Sequence, residues 1–166
     1  AALIGAVNTA KASYKFFESA QTPLMVVWDV NQELRALGEY AYGIGFDTES
    51  AGYMMAEKLY EEGARSAAVL QIVDEWSLLI ADSFTKRFEE LGGIVTVTDS
   101  YSIDETNFRT FLLKAKNTDA IYAPLVAHLD VFFKQARELN YEGMLSTGDG
   151  MTEDIVLASA GAAEGV

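Results

Sequence analysis

Cysteine is absent from this chain, so neither a disulfide nor a thiolate metal site can form, and no redox compartment can be read from it. Histidine occurs once, at His128, which excludes a histidine-based metal cluster and makes any Ser-His-Asp arrangement depend on that side chain. Proline occurs only twice while 50% of residues are hydrophobic, and that balance excludes disorder as the overall reading. No apolar run approaches the roughly 18 residues needed to span a bilayer. Positive charge is scarce: 12 Lys and Arg stand against 25 Asp and Glu, a formal net charge of -13. Such a surface repels phosphate backbones, so nucleic acid is not expected as a partner. Missing too are a G-x-G-x-x-G turn after a strand, a G-x-x-x-x-G-K-[ST] loop and a G-x-S-x-G elbow, leaving little for an enzyme.

The 166 residues are enough for a substantial core. What fills them is an alternation of short apolar runs with longer amphipathic segments. Ala67 to Val73, Ile94 to Tyr101, Ala120 to Val126 and Gly143 to Thr147 read as strands. The segments between them have helical spacing: Ala81, Phe84, Phe88 and Leu91; Phe108, Phe111, Leu112 and Ala115; Leu129, Phe132, Phe133, Ala136 and Leu139. Asp104 and Thr152 are N-cap candidates, and Gly92-Gly93 is the expected left-handed stop of the helix before it. This is the pattern of a parallel sheet covered by helices, whose ligands bind beyond the carboxyl ends of the strands.

Upstream, Ala1 to Gly5 and Leu24 to Trp28 read as strands flanking a helix over residues 9–20 with Ala12, Phe16 and Ala20 on one face. Residues 31–46 are richer in glycine and polar side chains, show no period and suit a crossover. Asp47 to Ser50 offer caps for a helix with Ala51, Met54, Met55 and Leu59 on its apolar face, closed by Gly63. The chain opens on a core strand, and Gly165-Val166 suits the start of another strand, so both ends are expected to cut through secondary structure.

The order and spacing of several stretches resemble a known family. They are Gly92-Gly93-Ile94-Val95, Asp104 to Phe108, Asp119-Ala120-Ile121-Tyr122, Phe133 to Leu139, Gly148-Asp149-Gly150 and Gly161 to Val166, with Ile4-Gly5 and Asn31-Gln32-Glu33-Leu34 earlier in the chain. Together they are similar to type I periplasmic binding proteins of the leucine/isoleucine/valine branch. The resemblance implies an α/β fold: a three-layer, parallel-sheet second lobe over residues 47–166, the tail of a first lobe over 1–34 and an interlobe crossover over 35–46. It implies a fragment of a protein that clamps a small molecule between two lobes. The implied function is extracytoplasmic (periplasmic or cell-surface) solute binding, with the membrane permease of an ABC-type importer as partner and no cofactor, metal or reaction. A ligand-sensing ectodomain of a receptor or regulator with the same fold is the alternative.

Amino-acid binders of this family neutralise two charges in the cleft, because each desolvated group needs a hydrogen-bonded partner. The resemblance places Asp149 on the ammonium and Thr9, with Asn8 beside it, on the carboxylate. Asp149 equally suits a turn between glycines, and Thr9 a helix N-cap. Trp76 stands where the family usually has tyrosine, followed by Ser77 in place of glycine; an indole there covers a ligand, offers its face to a cation, or packs on its own lobe. Trp28 and Asp29 replace small residues, and Val30 replaces a second carboxylate-binding threonine. These departures shrink and acidify the carboxylate end, which opens the ligand class to amides, polyols, cationic or aromatic compounds. After Val126, Ala127 and His128 occupy a loop where the family often places an aromatic contact. His128 itself is expected as a surface or capping residue.

Overall fold

The computed structural model describes residues 1–148 and 150–166, with Asp29 described by its backbone alone. Two compact units divide the chain, Ala1–Ala51 and Gly52–Val166.

In the first unit, β1 (Ala2–Ile4), β2 (Leu24–Val26) and β4 (Ala41–Gly43) form a parallel sheet in the order β1-β2-β4. A separate parallel pair joins β3 (Asp29–Val30) to β5 (Phe46–Asp47). The helix α1 (Val7–Ser19) starts two residues before the expected Thr9, with Ala6 at the cap position and no side-chain cap. Its buried face is Val7, Ala10 and Tyr14, not Ala12, Phe16 and Ala20; Phe16 is 78% exposed. The competing period wins because it sets a valine and a tyrosine against Leu24, Val26 and Leu34 in one cluster, with Phe17 packed alongside. The span expected as irregular, 31–46, contains α2 (Gln32–Leu37), whose N-cap Asn31 accepts the Leu34 N–H at 3.1 Å. At six residues α2 is too short to declare a period; its cap was the readable signal.

The helix α3 (Thr48–Glu61) carries the chain across the division. In the second unit it buries Ala56 and Leu59, while Met54, expected inward, is 68% exposed. Gly52 explains the rotation: a Cβ there would collide with the Ile80 carbonyl and the Ser83 hydroxyl, so the bare backbone of α3 is what faces the next helix.

That helix, α4 (Glu75–Glu90), follows β6 (Ser66–Ile72); then come β7 (Ile94–Tyr101), α5 (Arg109–Lys114), β8 (Ala120–Ala123), α6 (Leu129–Glu138), β9 (Met144–Thr147) and α7 (Glu153–Ala158). The strands form one parallel sheet in the order β7-β6-β8-β9. Helices cover both faces, which is why β8 is buried at every residue. On one face Ala68, Leu70, Ile72, Ile121 and Leu145 pack with Phe108, Phe111, Phe132 and Phe133. On the other, the Tyr122 ring lies 4.5 Å from Phe84, which stacks at 5.5 Å on Phe88. Removing one such ring costs about 3–5 kcal/mol, against about 0–1 kcal/mol for exposed ion pairs such as Lys114–Asp99. Packing therefore decides stability.

Element ends follow local chemistry. Gly92 takes a φ of 96° after α4, and the Gly93 N–H returns to the Phe88 carbonyl at 2.9 Å, the expected left-handed stop. Thr152 caps α7 through the Ile155 N–H as expected. Asp104 does not cap α5. Phe108 holds that position, and Gln135 of α6 fixes the loop by accepting the Phe108 N–H and donating to the Thr106 carbonyl. Gly165 and Val166 form no strand.

At the amino end of the sheet, one Asp119 carboxylate oxygen accepts the Arg65 N–H, the Ser66 N–H and the Ser66 hydroxyl at 2.8–2.9 Å. The Arg65 N–H first, then the Ser66 hydroxyl and N–H, hold its carboxyl below the usual aspartate range. A depressed folded pKa contributes stability that is present above the unfolded value, about 4, and lost as pH falls through the folded value. Asp119→Ala is expected to cost roughly 1 kcal/mol at pH 7, a low figure because the carboxylate is exposed. Urea midpoints of the variant and the parent should converge below about pH 4; a constant difference down to pH 2 would refute this role.

Candidate functional site

From β6 the chain crosses to β7 on one side, whereas β8 and β9 add on the other. The order of strands thus reverses between β6 and β8, and the carboxyl ends of these two strands open a crevice. Around it lie the loop 73–74 after β6 with the first turn of α4, the loop 124–128 after β8 and the turn that begins at Gly148 after β9.

Asp74 begins the first loop as the N-cap of α4, its carboxylate accepting the Ser77 N–H at 2.8 Å. Trp76 is half-buried in the first turn. Next to it the Ser77 hydroxyl, fully buried, accepts the Ile72 N–H at 2.9 Å and donates to the Pro124 carbonyl at 3.2 Å. One hydroxyl therefore ties the end of β6 to the loop after β8, which a glycine at this position has no atom to do. Gly148 then brings the third loop in: a Cβ on it would stand 3.6 Å from Trp76 Cη2 and 3.7 Å from Pro124 Cα. Gly150 lies closer still: a Cβ there would be 2.5 Å from the Leu125 carbonyl oxygen, a collision with backbone, so this approach requires glycine. Ala127 is half-buried in this loop, and His128 precedes α6 in a left-handed conformation (φ 58°) without a side-chain cap.

Trp76, Ala127 and Gly148 thus line the carboxyl edge of one sheet. Asp149 lies outside the described residues. In the first unit, Trp28 is 74% exposed beyond β2, and its Cε3 would be 3.4 Å from a Cβ on Gly5 at the end of β1. Asn8 and Thr9 are exposed in the first turn of α1, so Thr9 is not its N-cap. Asp29 belongs to β3 by its backbone. Sequence reasoning passed over the two groups that organise the crevice, the Ser77 hydroxyl and the Pro124 carbonyl, since neither has a signature outside its fold.

Among the described residues no group of acidic or histidine side chains is arranged to hold a metal ion, and no helix is long and apolar enough to cross a membrane. At the opposite end of the sheet, Lys116, Asp119, Asn140 and Glu142 line a polar groove of about 760 Å³, away from the strand ends where this fold binds ligands.

The sequence model of one family, described as periplasmic binding protein, matches residues 1–166. The chain belongs to that family. Among solved structures, this periplasmic binding protein is similar to a leucine-binding protein of Thermotoga maritima at 24% identity and a TM-score of 0.82, covering 98% of this chain and 48% of that one. It is similar to an extracellular ligand-binding receptor of Rhodopseudomonas palustris at 16% identity and a TM-score of 0.82, covering 98% and 46%. A solute-binding protein of an ABC transporter from R. palustris, in complex with benzoate, matches at 17% identity and a TM-score of 0.76, covering 96% and 46%. No curated protein sequence matches significantly. The chain spans about half the length of the solved structures it matches. The fold is that of type I periplasmic binding protein lobes, as the resemblance implied.

Two outcomes test this geometry. Ser77→Ala strands the Ile72 N–H and the Pro124 carbonyl in the interior, and should lower stability by about 1–3 kcal/mol as a lower urea midpoint with an unchanged slope. A midpoint within error of the parent would show that the bridge carries nothing. Tyr101 at the end of β7 has a buried hydroxyl with no partner among the described residues, and burial, with the Asp74 charge adding, pushes its pKa well up. Tyr101→Phe should leave stability unchanged or higher by up to about 1 kcal/mol; a clear loss would reveal an interaction made by that hydroxyl.

Proposed function

We propose that this chain is part of an extracytoplasmic solute-binding protein, periplasmic or on the cell surface, that captures an amino acid or related small molecule for import through an ABC-type permease. The observation that carries the reading is the convergence of Trp76, Pro124 and Gly148 at the reversal of strand order in a chain matched throughout by the family. In this proposal residues 1–34 belong to a first lobe, 35–46 to the crossover and 47–166 to the second lobe. Gly38 to Gly45 then hold part of a closing hinge.

Asp149 takes an ammonium. Thr9 and Asn8, in the uncapped first turn of α1, supply hydroxyl, amide and backbone N–H donors to an anionic or polar group. Trp76 covers the solute, Ala127 leaves it room, and Trp28 with Asp29 narrows the far end. No bond is made or broken by these residues in this role. A sensing ectodomain is the second reading, favoured by the likeness to the extracellular ligand-binding receptor of R. palustris.

Thermal unfolding of the protein that carries this chain, against amino acids, amides, polyamines and aromatic acids, tests the proposal. A solute at a hundred times its dissociation constant adds about 2.7 kcal/mol. The expected result is a shift with an α-amino compound that disappears in Asp149→Ala. A shift that survives the substitution removes Asp149 from the site, and no shift across the panel overturns solute binding.

A further inference from the structure

We infer that Ser77 is a positioning residue of the solute site: its hydroxyl clamps the loop after β8 to the end of β6, so that this wall of the site is formed before a solute arrives. The inference rests on the solute-binding reading above and deepens it, since it names a group on which the shape of the site depends.

The first ground is the bonding around the hydroxyl. Ser77 is fully buried, and its Oγ lies 2.9 Å from the Ile72 nitrogen and 3.2 Å from the Pro124 oxygen. The amide can only donate and the carbonyl can only accept, so the hydroxyl accepts from one and gives its single proton to the other. Its own backbone is fixed as well. The Ser77 N–H donates to the Asp74 carboxylate at 2.8 Å, and the Asp74 N–H donates to the Ile72 carbonyl at 2.8 Å. The turn from Ile72 to Ser77 is thus knit to itself, and the hydroxyl proton is what it extends to the neighbouring loop.

The second ground is where the clamp falls. The register of β6 with β8 ends at Val69 and Tyr122. Beyond it the crevice opens, and Pro124 has no N–H with which to continue a ladder. The Ser77 bond fastens the loop at the Pro124 carbonyl. One residue on, the bare backbone of Gly150 closes on the Leu125 carbonyl. Two successive carbonyls are therefore held, one from the β6 side and one from the β9 side, and the loop runs on from them to Ala127. A wall fixed in advance spares a solute the cost of ordering it, which is one way affinity is gained.

Residue-resolved amide hydrogen exchange, measured without solute on the protein that carries this chain, reads the clamp directly. The reporter is the buried Leu125 N–H, bonded to the Ala123 carbonyl at 2.8 Å. Ser77→Ala should speed its exchange about tenfold more than that of the Val69 and Ile121 amides inside the sheet. Asp119→Ala, a change at the opposite end, should leave Leu125 in step with the sheet. Where Ser77→Ala does not fold, Ser77→Gly takes its place, because it also removes the hydroxyl and leaves room for water at the stranded groups. Exchange at Leu125 that rises only in step with the sheet overturns the inference, since Ser77 then adds stability and positions nothing. Titration calorimetry over amino acids, amides, polyamines and aromatic acids reads the consequence. A compound bound by the parent should bind Ser77→Ala about fivefold more weakly, and Ser77→Thr, which keeps the hydroxyl, should stay close to the parent. Equal affinity in Ser77→Ala overturns the positioning role while leaving solute binding intact. A panel that binds nothing overturns the solute-binding reading, and with it the site that Ser77 positions, whatever the exchange shows.

Discussion

Ala67 pairs with Ala120, Ala68 with Ile121 and Val69 with Tyr122, joining β6 to β8 in parallel register. These strands are not consecutive, and the pairing forces the chain to cross from β7 back over the sheet through α5. On one face Tyr122 meets Phe84 of α4, and on the other Ile121 packs with Phe111 of α5 and with Phe132 and Phe133 of α6. The reversal of strand order at this pair is what leaves room beyond the strand ends, and Ser77 closes that gap to a defined width by holding Pro124. Everything the second unit presents at its carboxyl edge depends on this one seam.

Much of the second unit was readable from the chain alone, because its helices state their faces with large side chains. Phe108, Phe111, Leu112 and Ala115, or Phe132, Phe133 and Ala136, admit only one rotation about the helix axis, and all are buried. The glycine stop after α4 and the Thr152 cap are equally local signals. Where the reading failed, the deciding partner lay far away in sequence. The rotation of α3 follows from the approach of its Gly52 to Ile80 and Ser83, and the start of α5 from Gln135. In α1 two apolar stripes competed, and the sheet beneath chose the one with Val7 and Tyr14.

The candidate site was legible in kind and less so in arrangement. Trp76, Ala127 and the glycines around position 149 stand out by order in the chain, because loops after strands carry function in this class of fold. Their convergence is a tertiary fact. It needs Gly150, whose bare backbone lets the loop after β9 lie against the Leu125 carbonyl. Side-chain hydroxyls at buried turns, like that of Ser77, look in sequence like any polar loop residue.

The Asp119 carboxylate accepts the Arg65 and Ser66 N–H groups where β6 begins, while Trp76 and Gly148 stand at the other end of the sheet. A strand of seven residues separates the two. Such a separation makes the sheet evolvable: the loops at its carboxyl edge can drift from one chemistry to another while the anchorage at its amino end is left untouched.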